Sequence, residues 1–134
     1  MTPREIVDRM MQTDAFSQGL GIQIQQIDFG TCTLSCTVTE NMVNGFNIAH
    51  GGITYSLADS AVAFAANSHG QQCVSIETSI AHIKPAHTGD VLTATCTEIQ
   101  LGKSIARYEA KVYNQHNNLI ASFTGTVFRT EKHW

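Results

Sequence analysis

No stretch of the sequence approaches the roughly 20 consecutive apolar residues of a membrane-spanning helix. The first residues, MTPREIVDRMMQTDAF, carry charges of both signs where a secretion signal would carry an apolar core. Neither a membrane protein nor an exported one is expected, and a cytoplasmic location is. Charge is also scarce: 14% of the 134 residues are charged, with a net charge of −3. Without a basic excess there is no electrostatic footprint for a nucleic acid. An anionic ligand must therefore be met by a few local cations. So lightly charged a surface suits a subunit that buries part of itself in an oligomer. Paired cysteine motifs are missing too. Cys32, Cys36, Cys73 and Cys96 include no CxxC, and the first two lie in a strand-like run, so all four read as reduced, buried thiols rather than zinc ligands. The six histidines show no ligand spacing; His82 and His87 straddle Lys84-Pro85 and read as strand and loop residues. There is no linker, repeat or low-complexity run. A single domain over residues 1–134 is expected, long enough to bury about two-thirds of its unfolded surface.

What is present has a clear order. Pro3 followed by Ile6, Val7, Met10 and Met11 predicts a short amphipathic helix from Pro3 to about Gln12. Asp14 to Gly21 reads as a loop. The period then changes to two: in TCTLSCTVTE, Cys32, Leu34, Cys36 and Val38 take one face and Thr31, Thr33, Ser35, Thr37 and Thr39 the other, giving a hairpin with one wet face. After NMVNGFNIAHGG comes an alanine-rich segment, and then four strand-like runs from Cys73 onward. The last three are joined by short turns and predict an antiparallel meander. The class is α+β with an antiparallel sheet.

The segment from Ile53 to Asn67 contains no proline or glycine and predicts a long helix. Its apolar residues fall on all sides, which describes a buried helix wrapped by the sheet. Asp59 sits in its middle with Tyr55, Ser56, Val62 and Ala63 as its helical neighbours, none of them cationic. A buried, unpaired carboxylate costs several kcal/mol or raises its pKa. Local bonding to Ser56, a distant cation or a partly exposed turn would each explain it away. At the start of the same helix stands His50-Gly51-Gly52. First-turn N–H groups lack intrahelical acceptors and carry the positive end of the helix dipole, so such an end can hold an anion or a developing oxyanion.

NGFNIAHGGITYSLADSA followed by KPAHTGD resembles the hotdog-fold acyl-CoA thioesterases, in particular the phenylacetate-degradation (PaaI-like) type. The resemblance spans about Phe16 to Arg129. It implies a six-stranded antiparallel sheet wrapped around a long central helix, with a short N-terminal helix. It also implies homodimers commonly paired into homotetramers, with sites at the dimer interface and no cofactor, coenzyme A being part of the substrate. By this similarity Gly51 would polarise the thioester carbonyl through its N–H. Asp59 of the facing subunit would be the nucleophile or the general base. Asn44 would orient the water or the leaving thiolate, His50 would brace the turn and contact the thioester region, and Ser75 matches a position whose hydroxyl assists the water in some members.

Coenzyme A is strongly anionic. Lys84 is the first candidate to meet it, followed by Lys103 and Arg107, with Gly52 and Tyr55 as further substrate contacts. Tyr55, Phe64, Phe46 and Met42 are candidates for an apolar acyl pocket, and equally for plain packing. Gly102-Lys103-Ser104 is not a phosphate-binding loop, because Thr97 stands where that motif requires glycine. Two other functions fit the same fold: a non-catalytic acyl-CoA sensor, which would lack Asp59, and a hydratase or dehydratase, which would not explain Asn44.

Overall fold

A capping box starts the chain. The Glu5 N–H donates to the Thr2 hydroxyl and the Thr2 N–H to the Glu5 carboxylate, at 3.1 and 2.9 Å. Helix α1 (Pro3–Thr13) follows, with Ile6 and Val7 buried. The computed structural model describes all residues, 1–134. The expected loop after α1 holds instead a short helix, α2 (Ala15–Gly19). Asp14 explains the difference: its carboxylate accepts from the Ser17 N–H at 3.0 Å and the Ser17 hydroxyl at 2.7 Å, a cap strong enough to close one turn.

The strands are β1 (Gln23–Asp28), β2 (Thr31–Thr37), β3 (Gln71–His82), β4 (Val91–Leu101), β5 (Ile105–Tyr113) and β6 (Leu119–His133), and the long helix is α3 (Gly51–Asn67). All six strands form one antiparallel sheet in the order β1-β2-β4-β5-β6-β3. This is the hotdog architecture, a sheet curled around α3. The predicted hairpin is β1-β2 and the predicted meander is β4-β5-β6. Period-two patterning places the core: Leu34, Leu92, Ala94, Ala106, Tyr108, Ala110 and Val112 are fully buried against α3, while their strand neighbours face outward. From α3, Leu57, Ala58, Ala61, Val62, Phe64, Ala65 and Ala66 enter this core. Small residues let helix and sheet approach closely. A Cβ on Gly125 of β6 would stand 3.3 Å from Val62 Cγ1, so glycine is what the contact admits.

The far end of α3 is tied down by polar bonds. Tyr108 Oη donates to Glu98 Oε2 at 2.8 Å, and His69 Nε2 meets the same oxygen at 2.6 Å. Burial and the Glu98 carboxylate push the Tyr108 phenol upward. Trp134 Nε1 and the Cys73 N–H both donate to Asn67 Oδ1, at 2.8 and 2.9 Å. Of the four cysteines, Cys32, Cys36 and Cys96 are buried and Cys73 is half-buried, all as free thiols.

β3 is an edge strand, hydrogen-bonded on one side only, to β6. Its register slips by one residue at Ile76, between the pairs Ser75–Val127 and Glu77–Thr126. This β-bulge matters for the site. Directly paired residues share a face, and Val127 and Gly125 both face α3. Ser75, paired with Val127, and Thr78, paired with Gly125, are thus both turned toward the helix.

Candidate active site

Helix α3 begins two residues earlier than its apolar run suggests. His50 is its N-cap, and Gly51 and Gly52 form its first turn. The His50 ring folds back so that Nδ1 accepts the Gly52 N–H at 2.8 Å. The loop before it is held by bonds from the Ala49 N–H to the Ala86 carbonyl and from the His50 N–H to the Met42 carbonyl, both 2.7 Å. Of the two glycine amides, only that of Gly51 has no acceptor. Gly52 is thereby placed as a capped turn residue, and Gly51 as the open donor.

The Gly51 amide belongs to a cavity of about 410 Å³. Asn44, Ile48, Ala49 and Thr54 line one part of it, and His82, Ile83, Lys84, Pro85, Ala86 and Ile120 the other. Asn44 Oδ1 is committed to its own loop, accepting from the Phe46 N–H at 2.9 Å and the Ile48 N–H at 3.4 Å. Its Nδ2 has no protein partner and remains a donor. Lys84 is the one lysine or arginine on the cavity wall, where it can meet an anionic group.

Asp59 does not line this cavity. It lies about 12 Å further along the same helix at the helical rise, half-buried. Ser56 does not hold it, because that hydroxyl donates to the Gly52 carbonyl at 2.6 Å. None of the three ion pairs, Arg4–Asp8, His69–Glu98 and Lys111–Glu109, involves it. Burial without a partner pushes its carboxyl above its ordinary value. Its surroundings follow from register. Gly51 lies beside His82, Tyr55 Oη bonds Thr78 Oγ1 at 2.7 Å, and Asn67 bonds Cys73. Helix and strand therefore run antiparallel, and Asp59 falls between Thr78 and Cys73, beside the stretch that turns Ser75 inward.

Other candidates are placed elsewhere. Tyr55 packs edge-on against Phe123 with ring centroids 5.4 Å apart, and its hydroxyl is taken by Thr78. Phe64 and Met42 are core residues, and Phe46 is 85% exposed on the loop tip. Lys103 and Arg107 are not brought to the cavity within one protomer. Lys103 lies at the β4–β5 turn, level with Phe128 and Val74, and Arg107 sits on β5 opposite Thr126, level with Glu77, whereas the cavity is level with His82 and Ala121. From Val74 to His82 along β3 is roughly 25 Å. Two residues escaped the sequence reading, His82 and Thr54. Only Thr54 carried a signal, its place in a helix apolar on all sides: it is 3% exposed, and its hydroxyl lies 3.1 Å from the Gly51 carbonyl and 3.4 Å from His82 Nδ1. No group of three or more His, Cys, Asp or Glu side chains is placed to hold a metal ion.

Residues 46–121 match the model of the thioesterase superfamily. A putative esterase of Archaeoglobus fulgidus is 38% identical over 95% of this chain and 82% of its own. The acyl-coenzyme A thioesterase PaaI of Escherichia coli is 38% identical over 90% of this chain and 86% of its own. The solved structure of the E. coli PaaI protein from the phenylacetic acid degradation operon superposes with a TM-score of 0.96 at 35% identity, covering 98% of this chain and 95% of that one.

Proposed function

The chain belongs to the thioesterase superfamily, and from that premise we propose that it hydrolyses acyl-CoA thioesters to a free acid and coenzyme A at the head of α3. The observation that carries this reading is the open Gly51 N–H in a cavity large enough for a thioester. A donor fixed there meets the oxygen on which charge develops, and the helix dipole adds to it.

Asp59 is the second group. Standing about 12 Å from its own Gly51, it serves the Gly51 of another protomer, brought close by pairing two β3 edges across a dimer. There the carboxylate either takes a proton from water as that water adds to the carbonyl carbon, or attacks the carbon itself. Collapse of the tetrahedral intermediate breaks the C–S bond and releases the thiolate of coenzyme A. In the first route that thiolate recovers the proton from Asp59. In the second it leaves the acyl group on Asp59 as a mixed anhydride. Water then hydrolyses the anhydride to the acid and the free carboxylate, while the thiolate takes up the proton released. Asn44 Nδ2 and the Ser75 hydroxyl are the polar groups available to orient the water, and His50 keeps the turn in shape. Lys84 meets the phosphates. Lys103 and Arg107 reach them only from a neighbouring protomer. Homodimers pair further into a homotetramer. The acyl group is aryl-acetyl or another small to medium acyl.

The test is release of free thiol from phenylacetyl-, benzoyl- and short-chain acyl-CoA by the wild type and Asp59→Asn. Undiminished turnover by a folded, oligomeric Asp59→Asn protein rejects the role of Asp59. Tight binding of acyl-CoA by a wild type that hydrolyses none of them favours the sensor.

A further inference from the structure

The cavity contains an imidazole that hydrolysis by Gly51 and Asp59 leaves without a task. His82 faces α3 from the last position of β3, because its partner Ala121 is buried against the helix. The Cε1–Nε2 edge of its ring lies over Gly51, with both atoms 3.2 Å from where a Cβ on Gly51 would stand. The other nitrogen is taken by Thr54. That hydroxyl has one proton, and the shorter of its two contacts, 3.1 Å against 3.4 Å, is to the Gly51 carbonyl. With that proton on the Gly51 carbonyl, the Thr54 oxygen accepts from Nδ1–H, and this tautomer offers the Nε2 lone pair to the cavity. Thr54 is 3% exposed, whereas His82 is exposed and open to a ligand entering the cavity.

A lone pair beside Gly51 would repel a carbonyl oxygen held on the Gly51 N–H; it calls for a donor. The thiol arm of coenzyme A carries one close to the reacting centre, the amide N–H two carbons from the sulfur. Building on the thioesterase reading, we propose that His82 Nε2 accepts this amide N–H and sets the position of the sulfur next to Gly51. From His82 the cavity wall continues past Ile83 to Lys84 and Pro85, which gives the rest of the arm a path toward the Lys84 ammonium. His82 is then a substrate contact, and Thr54 is a positioning residue acting through it.

Two small substrates isolate the contact: an N-acetylcysteamine thioester, which keeps that amide, and the S-butyl thioester of the same acid, which lacks it. The wild type should prefer the first in kcat/KM by about tenfold, the worth of one hydrogen bond. His82→Ala should erase the preference, His82→Gln should restore part of it through its amide oxygen, and Thr54→Val should weaken it with the imidazole still present. Equal losses on both substrates in His82→Ala and Thr54→Val would mean a structural role and overturn the proposal. A non-hydrolysable S-alkyl-CoA thioether separates the two readings. Its affinity should fall about tenfold in His82→Ala, and unchanged affinity refutes the contact whether or not thioesters are turned over. His82-dependent binding by a protein that hydrolyses no thioester would instead sink the thioesterase reading alone.

Discussion

Asp59 and Gly51 share one rigid helix yet stand about 12 Å apart along it, too far for a base and an oxyanion donor to act on the same carbonyl. If each site joins Gly51 of one protomer to Asp59 of the other, two inactive variants repair one another. Asp59→Asn and Gly51→Pro should each be nearly inactive. Unfolded and refolded together in equal amounts, they should recover about a quarter of wild-type activity, because half the dimers are mixed and each carries one intact site. Recovery absent from confirmed mixed dimers would refute the shared site.

Gly51→Pro is itself informative. Proline is tolerated at the first position of a helix and removes only an N–H that has no intrahelical acceptor. The preceding residue suits it, since His50 has φ −58° and ψ 139°. The helix should survive by circular dichroism while kcat falls about 10²–10³-fold, the typical loss of one oxyanion donor. Gly51→Ala keeps the N–H and, like proline, sets a Cβ 3.2 Å from the His82 ring, so it isolates the steric part of the loss. Its loss should be smaller and appear mainly in KM.

Burial raises the Asp59 carboxyl, with consequences for both activity and stability. As a base or nucleophile it must be ionised, so kcat/KM should fall on the acid side at a pH above that of an ordinary aspartate. The folded-state pKa exceeds the unfolded one, so Asp59 favours the fold below its unfolded pKa, and that contribution is lost as pH rises through the folded value. Asparagine cannot ionise. Asp59→Asn should therefore melt higher than wild type at neutral pH, with the gap closing in acid, the usual conflict between an active site and stability. A melting temperature that is lower, or equal at every pH, counts against this account.

His50 caps α3 through Nδ1. Asparagine can cap as well, so His50→Asn should keep most of the stability, whereas His50→Ala should lose about 1 kcal/mol in chemical denaturation. A cap that matters only for shape would keep kcat/KM of His50→Asn near wild type and lower it only in His50→Ala. A further loss of kcat/KM in His50→Asn, despite intact stability, would show that the outward Nε2 touches the substrate.

The elements that could be read from the chain are those whose own residues set them. Period two in Cys32, Leu34, Cys36 and Val38 fixes the wet-faced hairpin, and alanines on every side of α3 fix a helix inside a sheet. Asp59 was conspicuous by the lack of any cation within a helical turn. What stayed hidden depends on contacts distant in sequence. The short α2 exists because Asp14 bonds Ser17, and the order of the two glycine amides is decided by a rotamer of His50. The remoteness of Lys103 and Arg107 from the cavity follows from strand pairings, not from spacing. The histidines show no ligand spacing, so His82 reads as a plain strand residue, and its face on β3 depends on a register slip that the sequence does not announce.

That slip behaves like a phase shift in a periodic signal. Before Ile76 the inward positions of β3 are odd-numbered, Cys73 and Ser75, and after it they are even, Thr78, Ile80 and His82. One inserted residue thus reconciles two halves of a strand that would otherwise present their side chains in antiphase. Deleting Ile76 would leave the count of ladder bonds almost unchanged. It would nevertheless invert one half of the strand, turning either the Ser75 hydroxyl or the imidazole beside Gly51 away from the helix.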